Sequence, residues 1–226
     1  MTSLKLAAIF LGGLLSISYV TANAEQKTNR WYSVEYIIFE NAISTGHYLE
    51  PWNKAPLHLP SHAIVLNTRS TQTNFSHLTP KQQQLHGAAN RLKKLADYQV
   101  MTHNGWIQIL NPQTKRLPVL VVQQVERQQI EGVITLHRGK HLHLDLDIQL
   151  TEQGLLTNRG LTETSHPTTL SPAIYRLKQT RRIKSGEINY FDHPRFGVIC
   201  LVTEIDPPYS PSQPTVLTVE EPAQLP

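Results

Sequence analysis

The apolar positions of the chain mostly predict β-strands, because they alternate with polar positions or form short runs rich in β-branched and aromatic residues. Arg138-Gly139 predicts a hairpin, and Asn104-Gly105 indicates either one interrupted strand or a second hairpin. The candidate strands are Trp31–Phe39, Ala63–Leu66, Tyr98–Thr102, Trp106–Leu110, Leu117–Gln123, Glu131–His137, His141–Leu150 and two or three more within 174–204.

One segment predicts a helix. Thr79 suits the N-cap, Pro80 suits the first helical position, and Gln82 completes a capping box. Apolar residues then recur at helical spacing, which predicts an amphipathic helix from Thr79 to near Asp97; they are Leu85, Ala88, Ala89, Leu92, Leu95 and Ala96. The predicted fold class is therefore α+β: an antiparallel-rich β-sheet with one long amphipathic helix packed on a face.

The N-terminal region has the pattern of a Sec signal peptide. Lys5 precedes an apolar core, Leu6–Val20, and Ala22-Asn23-Ala24 provides a cleavage site, so residues 1–24 are expected to be removed. A membrane anchor needs about 20 apolar residues, and glycines and serines dilute this shorter core. We expect a soluble periplasmic protein without a membrane span, with one domain over residues 25–205 and a Pro-rich, disordered tail over residues 206–226.

The net charge and the cysteine content restrict the possible functions and the chemistry of the chain. The net charge of +4 falls to +3 without the signal peptide, which is too small a balance to indicate nucleic-acid binding. Cys200 is the only cysteine, so no internal disulfide can form. Its position within the apolar run FGVICLV predicts a buried, inert thiol.

The strongest catalytic candidate is the segment HLHLDLD, residues 141–147. Its leucines would face the core while His141, His143 and Asp145 share the outer face, where two histidines and a carboxylate could bind zinc. The regular alternation favours a plain amphipathic strand, and the chain has no G-x-S-x-G motif. We therefore predict no enzyme activity, no catalytic residues, no metal and no cofactor. A metal-dependent hydrolase centred on these three residues remains the alternative.

The segment before residue 185 alternates like a strand with an unusual basic face. Arg176, Lys178, Arg182 and Lys184 would share one face, with Leu177, Arg181 and Ile183 on the other. Such a face suits a partner that carries carboxylates or phosphates. The alternative is a solvated strand whose charges prevent edge-to-edge pairing. Arg181 is expected to pair internally, and Tyr190 is the best candidate for stacking on a sugar ring.

Four segments together resemble the CsiV family of periplasmic peptidoglycan-binding proteins over residues 31–205. The most specific is RRIKSGEINYFDHPRFG, residues 181–197; the others are WYSVEYIIF, YQVMTHNGWIQ and GVITLHRGKHLHLDLDIQL. The resemblance implies a non-enzymatic adaptor that binds peptidoglycan and acts with LpoA, an outer-membrane lipoprotein activator of a class A penicillin-binding protein. A protein-interaction module without wall binding is a further alternative. The predicted ligand-binding residues are Arg176, Arg182, Lys184, Tyr190, Asp192, His193 and Arg195.

Overall fold

The computed structural model describes residues 29–42, 57–66, 74–111, 115–153 and 172–208. The predicted signal peptide lies outside the described residues, and so does the Pro-rich tail from residue 209 onward. Within the described ranges, no helix has both the length and the apolar character needed to cross a membrane.

The described chain is built mainly from strands. Its elements in chain order are β1 (Arg30–Asn41), β2 (Phe75–His77), a 3-10 turn (Pro80–Gln82), α1 (His86–Lys94), β3 (Tyr98–Leu110), β4 (Val119–Val125), β5 (Gln128–Arg138), β6 (Leu142–Glu152), β7 (Ala173–Ile183), β8 (Ile188–His193) and β9 (Phe196–Ile205).

The strands form two sheets rather than the single sheet that was predicted. A five-stranded sheet has the order β2-β3-β1-β9-β8, and a four-stranded sheet has the order β4-β5-β6-β7. All pairings between named strands are antiparallel, as predicted. One core cluster draws on both sheets, including Val34, Ile38, Trp106, Ile134, Leu146 and Val198. The two sheets therefore pack as a sandwich, and the core lies between them.

The prediction of one long helix is wrong. The capping box forms, because Gln82 Oε1 accepts hydrogen bonds from the Thr79 N–H and hydroxyl, but the helical turn ends at once, since Gln83 is extended. The buried Glu35 carboxylate then accepts the N–H groups of Gln84 and Leu85 at 2.7 and 2.9 Å. These bonds fix the chain just before α1, which has only nine residues.

Helix α1 forms a third layer on the outer face of the five-stranded sheet. At its N-terminal end, Leu85 and Ala89 pack against Ile37, Phe39 and Leu201. Leu95, which the helical periodicity assigned to the apolar face, is extended and half exposed. The antiparallel-sheet part of the predicted fold is therefore confirmed, but the helix is a short cover on a mostly β structure.

Asn104-Gly105 does not form a hairpin, and β3 runs through it without a break. A Cβ on Gly105 would lie 2.5 Å from the Val34 carbonyl oxygen, so the glycine allows β3 to approach β1. The predicted strand Ala63–Leu66 is reduced to one bridge, between Ile64 and Val119.

Other predictions for the strands are confirmed. The β5–β6 hairpin turns at Arg138-Gly139, and residues 174–204 contribute three strands. Cys200 lies in the core, where burial raises the pKa of its thiol, as expected for an inert cysteine.

Candidate functional site

Strands β6 and β7 present mostly polar side chains on the outer face of the four-stranded sheet. Leu142, Leu144 and Leu146 point into the core, so the intervening residues of β6 point outward, as their alternation predicted. The register places Arg182 opposite His143 and Lys178 opposite Asp147. We call this surface the polar face; it consists of His137, His143, Asp145, Asp147, Gln149, Arg176, Lys178, Thr180 and Arg182.

Most of the charges on the polar face neutralise one another. Arg176 donates from Nε and Nη2 to the two Asp147 carboxylate oxygens, at 2.7 Å each. This hydrogen bonding raises the pKa of Arg176, whose side chain is only 8% exposed. Lys178 Nζ lies 3.6 Å from the same carboxylate. Basic side chains of β7 and an acidic side chain of β6, which the sequence analysis treated as separate features, thus form ion pairs with one another.

Arg182 differs from the other cations of the predicted site. It is exposed, and none of the described residues gives it a hydrogen-bond or ion-pair partner. Lys184 is exposed too but contacts Glu187 at 3.2 Å. Lys140, at the tip of the β5–β6 hairpin, is a second exposed cation with no partner in the described ranges. It lies at the same end of the sheet as Arg182, because Leu142 pairs with Ile183.

The residues of the alternative metal site, His141, His143 and Asp145, do not converge. His143 Nδ1 donates to the His141 carbonyl oxygen at 3.0 Å, and Asp145 is 3.0 Å from His137 Nε2. The rings of His137 and His143 stack in parallel with centroids 5.2 Å apart. In the part of the chain that is described, no three His, Cys, Asp or Glu side chains are placed to bind a metal ion.

Tyr190 and Asp192 lie on the outer face of the other sheet, beside α1. Tyr190 is 46% exposed as a residue, and its ring is nearly parallel to the Phe39 ring, with centroids 6.2 Å apart. Tyr98 also contacts Phe39 in an edge-on arrangement, with ring centroids 5.4 Å apart. The Tyr190 hydroxyl donates to Asp192 Oδ1 at 2.7 Å. We call Tyr98, Phe39 and Tyr190 the aromatic row. Burial, together with the Asp192 carboxylate, raises the pKa of Tyr190 and keeps its hydroxyl a donor.

His193 and Arg195 point inward at one end of the sandwich. Arg195 Nη2 donates to Glu40 at 3.0 Å and also to Glu152, so it joins the two sheets. Gln128 donates to the same Glu40 carboxylate at 2.6 Å, and burial raises the pKa of Glu40. His193 accepts the Arg195 backbone N–H at 3.1 Å. We call this set the Arg195 network: Glu40, Gln128, Glu152, His193 and Arg195.

The seven predicted residues therefore do not form one cluster. They are divided among the polar face (Arg176, Arg182), the β7–β8 turn (Lys184), the aromatic row and its carboxylate (Tyr190, Asp192) and the Arg195 network (His193, Arg195). Strands β7 and β8 are edge strands of their sheets, and Arg181 links them by donating to the Tyr190 carbonyl at 2.6 Å. Its guanidinium also lies 4.5 Å from the centre of the Phe191 ring, so Arg181 pairs internally, as predicted.

Ser185 has a structural role, because its hydroxyl oxygen accepts the Glu204 N–H at 2.7 Å. The described part of the chain is a sandwich of two antiparallel sheets with a short helix on one outer face, and its exposed groups include Arg182 and the Tyr190 ring. The sequence pattern of the CsiV family, described as peptidoglycan-binding proteins, matches residues 3–205, and the chain belongs to this family. No curated protein and no solved structure matches the chain.

Proposed function

We propose that this protein is a non-enzymatic peptidoglycan-binding adaptor of the periplasm that supports cell-wall synthesis. The observation that carries the proposal is the family match, which extends over residues 3–205. A peptidoglycan ligand also accounts for the two kinds of exposed group, because its stem peptides carry carboxylates and its glycan strands present sugar rings.

Arg182 is the best placed of the predicted cations to meet a stem-peptide carboxylate. Its guanidinium has no competing acid among the described residues, whereas Arg176 is held by Asp147 and Lys184 contacts Glu187. A guanidinium matches the planar geometry of a carboxylate and can form two parallel hydrogen bonds with it. Lys140 at the same end of the sheet adds positive charge to this surface.

The adaptor role requires a protein partner besides the wall. The family resemblance implies the lipoprotein activator LpoA and, through it, a class A penicillin-binding protein. A binding protein that contacts both wall and activator would raise the local concentration of the activator at its site of action.

Recruitment of soluble LpoA to sacculi tests the adaptor role. We expect purified sacculi to retain more LpoA when this protein is present than when bovine serum albumin replaces it. Binding of LpoA to this protein in solution without any retention on sacculi would favour the protein-interaction module instead. Near-stoichiometric zinc in protein purified without a histidine tag would favour the metal-dependent hydrolase.

A further inference from the structure

Tyr190 is an exposed aromatic side chain that the fold holds in one orientation. Its ring lies beside Phe39 over Gly197, where a Cβ would come within 2.8 Å of the Tyr190 ring. Its hydroxyl is fixed by the bond to Asp192. A side chain that is already ordered loses little conformational entropy when a ligand binds, so this ring is a preorganised flat surface.

A purely structural role for Tyr190, in which its ring only covers Gly197, does not explain all of these features. The Phe39 ring alone already occupies the space above the glycine, since its Cζ would be 2.6 Å from an added Cβ. The bond between Tyr190 and Asp192 uses only Oδ1 of the carboxylate. Oδ2 has no hydrogen-bond donor among the described residues, so an acceptor lies unused beside the exposed ring.

We infer that Tyr190 and Asp192 form a saccharide subsite for an N-acetylated amino-sugar ring of a glycan strand. The apolar C–H face of the sugar stacks on the Tyr190 ring, and Asp192 Oδ2 accepts a hydrogen bond from a sugar hydroxyl or amide group. This inference rests on the proposed function, because it names the part of peptidoglycan that this surface binds.

The subsite and Arg182 are compatible with one polymer. Tyr190 is on β8 and Arg182 is on β7, the edge strands on the same side of the sandwich. Arg181 bridges these strands at the Tyr190 carbonyl. Their side chains point outward from opposite faces of the sandwich, so a polymer that reaches both must pass around the edge formed by β7 and β8. A glycan strand with its stem peptides supplies both kinds of group.

Binding of peptide-free glycan strands tests the inference. The strands are released from sacculi by an amidase that removes the stem peptides, and the protein is titrated with them by NMR. Tyr190→Ala should weaken binding about five- to tenfold through the lost ring. Tyr190→Phe keeps the ring and should stay within about threefold of wild type. Ile188→Ala is the matched control, since Ile188 is 63% exposed on the same face of β8.

Each variant is also sedimented with intact sacculi, and its melting temperature shows that it is folded. Weaker glycan binding for folded Tyr190→Ala, with Ile188→Ala unchanged, supports the subsite. Retention of wild type on sacculi together with equal glycan binding by Tyr190→Ala and Ile188→Ala overturns the subsite and leaves the proposed function standing. Failure of wild type to bind sacculi overturns the proposed function and the subsite together.

Discussion

Arg176 and Arg182 show how two arginines on one strand face acquire different roles. Both point outward from β7, as the alternation of the sequence predicted. Arg176 is neutralised by Asp147, which is 29 residues away along the chain, whereas Arg182 faces His143. Alternation is a local property and can be predicted, but these pairings depend on the β6–β7 register, which the sequence does not specify.

Arg176→Ala should act mainly on stability, because it leaves the Asp147 carboxylate without its strongest partner.

Arg182→Ala should weaken retention on sacculi without changing stability. An exposed arginine–carboxylate pair contributes about 0–1 kcal/mol, so we expect a loss of up to about fivefold in affinity. Arg182→Lys should also bind less well, because an ammonium group lacks the planar fork of a guanidinium. Affinities from binding isotherms on sacculi check this, with Arg91→Ala on α1 as the control for loss of an exposed arginine. Equal losses for Arg182→Ala and Arg91→Ala would contradict a specific role.

At the scale of the elements, turns and strands were predicted correctly where neighbouring residues alone determine the backbone conformation. Arg138-Gly139 turns the β5–β6 hairpin as predicted. Asn104-Gly105 is a stronger hairpin signal, yet it lies inside β3, where Gly105 allows close contact with the Val34 backbone. The length of the helix could not be predicted either, because its start is fixed by Glu35, which lies on β1, 49 residues before Gln84.

Glu35→Ala should destabilise the protein by about 3 kcal/mol, because two backbone N–H groups and His103 lose a buried acceptor. Glu35→Gln should cost less, since its amide oxygen can still accept one of these bonds. Urea unfolding measures both changes. Glu204→Ala is the control, because Glu204 forms an exposed pair with Arg30 and should cost only about 0–1 kcal/mol. The anchoring role would be wrong if Glu35→Ala cost no more than Glu204→Ala.

At the scale of the whole molecule, the division of the strands between two sheets could not be predicted from the pattern of apolar and polar residues. Alternation shows that each strand has an apolar face but not which strand lies opposite it. The Arg195 network illustrates this limit. His193 and Arg195 were predicted to bind ligand, yet the fold turns them inward, where Arg195 joins Glu40 of one sheet to Glu152 of the other.

The buried His193 should make the protein less stable in acid. Burial, together with the smaller effect of the Arg195 charge, lowers its pKa from 6.5 to about 4 against an opposing effect of Asp192. Below pH 6.5 the His193 of the unfolded chain binds a proton that the folded protein does not bind. The contribution of His193 to the free energy of unfolding is therefore fully present above pH 6.5 and is lost as the pH falls towards 4. Between pH 7 and pH 4.5 the loss should be about 2 kcal/mol.

Urea unfolding at these two pH values, for wild type and His193→Gln, isolates this contribution. His193→Gln should show a smaller loss of stability on acidification, because glutamine does not titrate. The raised pKa of Glu40 works in the opposite direction, since its protonation in acid favours the folded state, and it is common to both proteins. The same acid dependence in both proteins would show that His193 does not control it.

The central claim, that this protein binds peptidoglycan, is tested most directly by sedimentation with purified sacculi over a range of salt concentrations. We expect the protein to pellet with sacculi well above an albumin control. Retention should weaken with rising salt, because charges are screened beyond about 8 Å at physiological ionic strength, but a salt-resistant part should remain from stacking on sugar rings. Protein that remains in the supernatant at low salt, while folded by circular dichroism, would contradict the account.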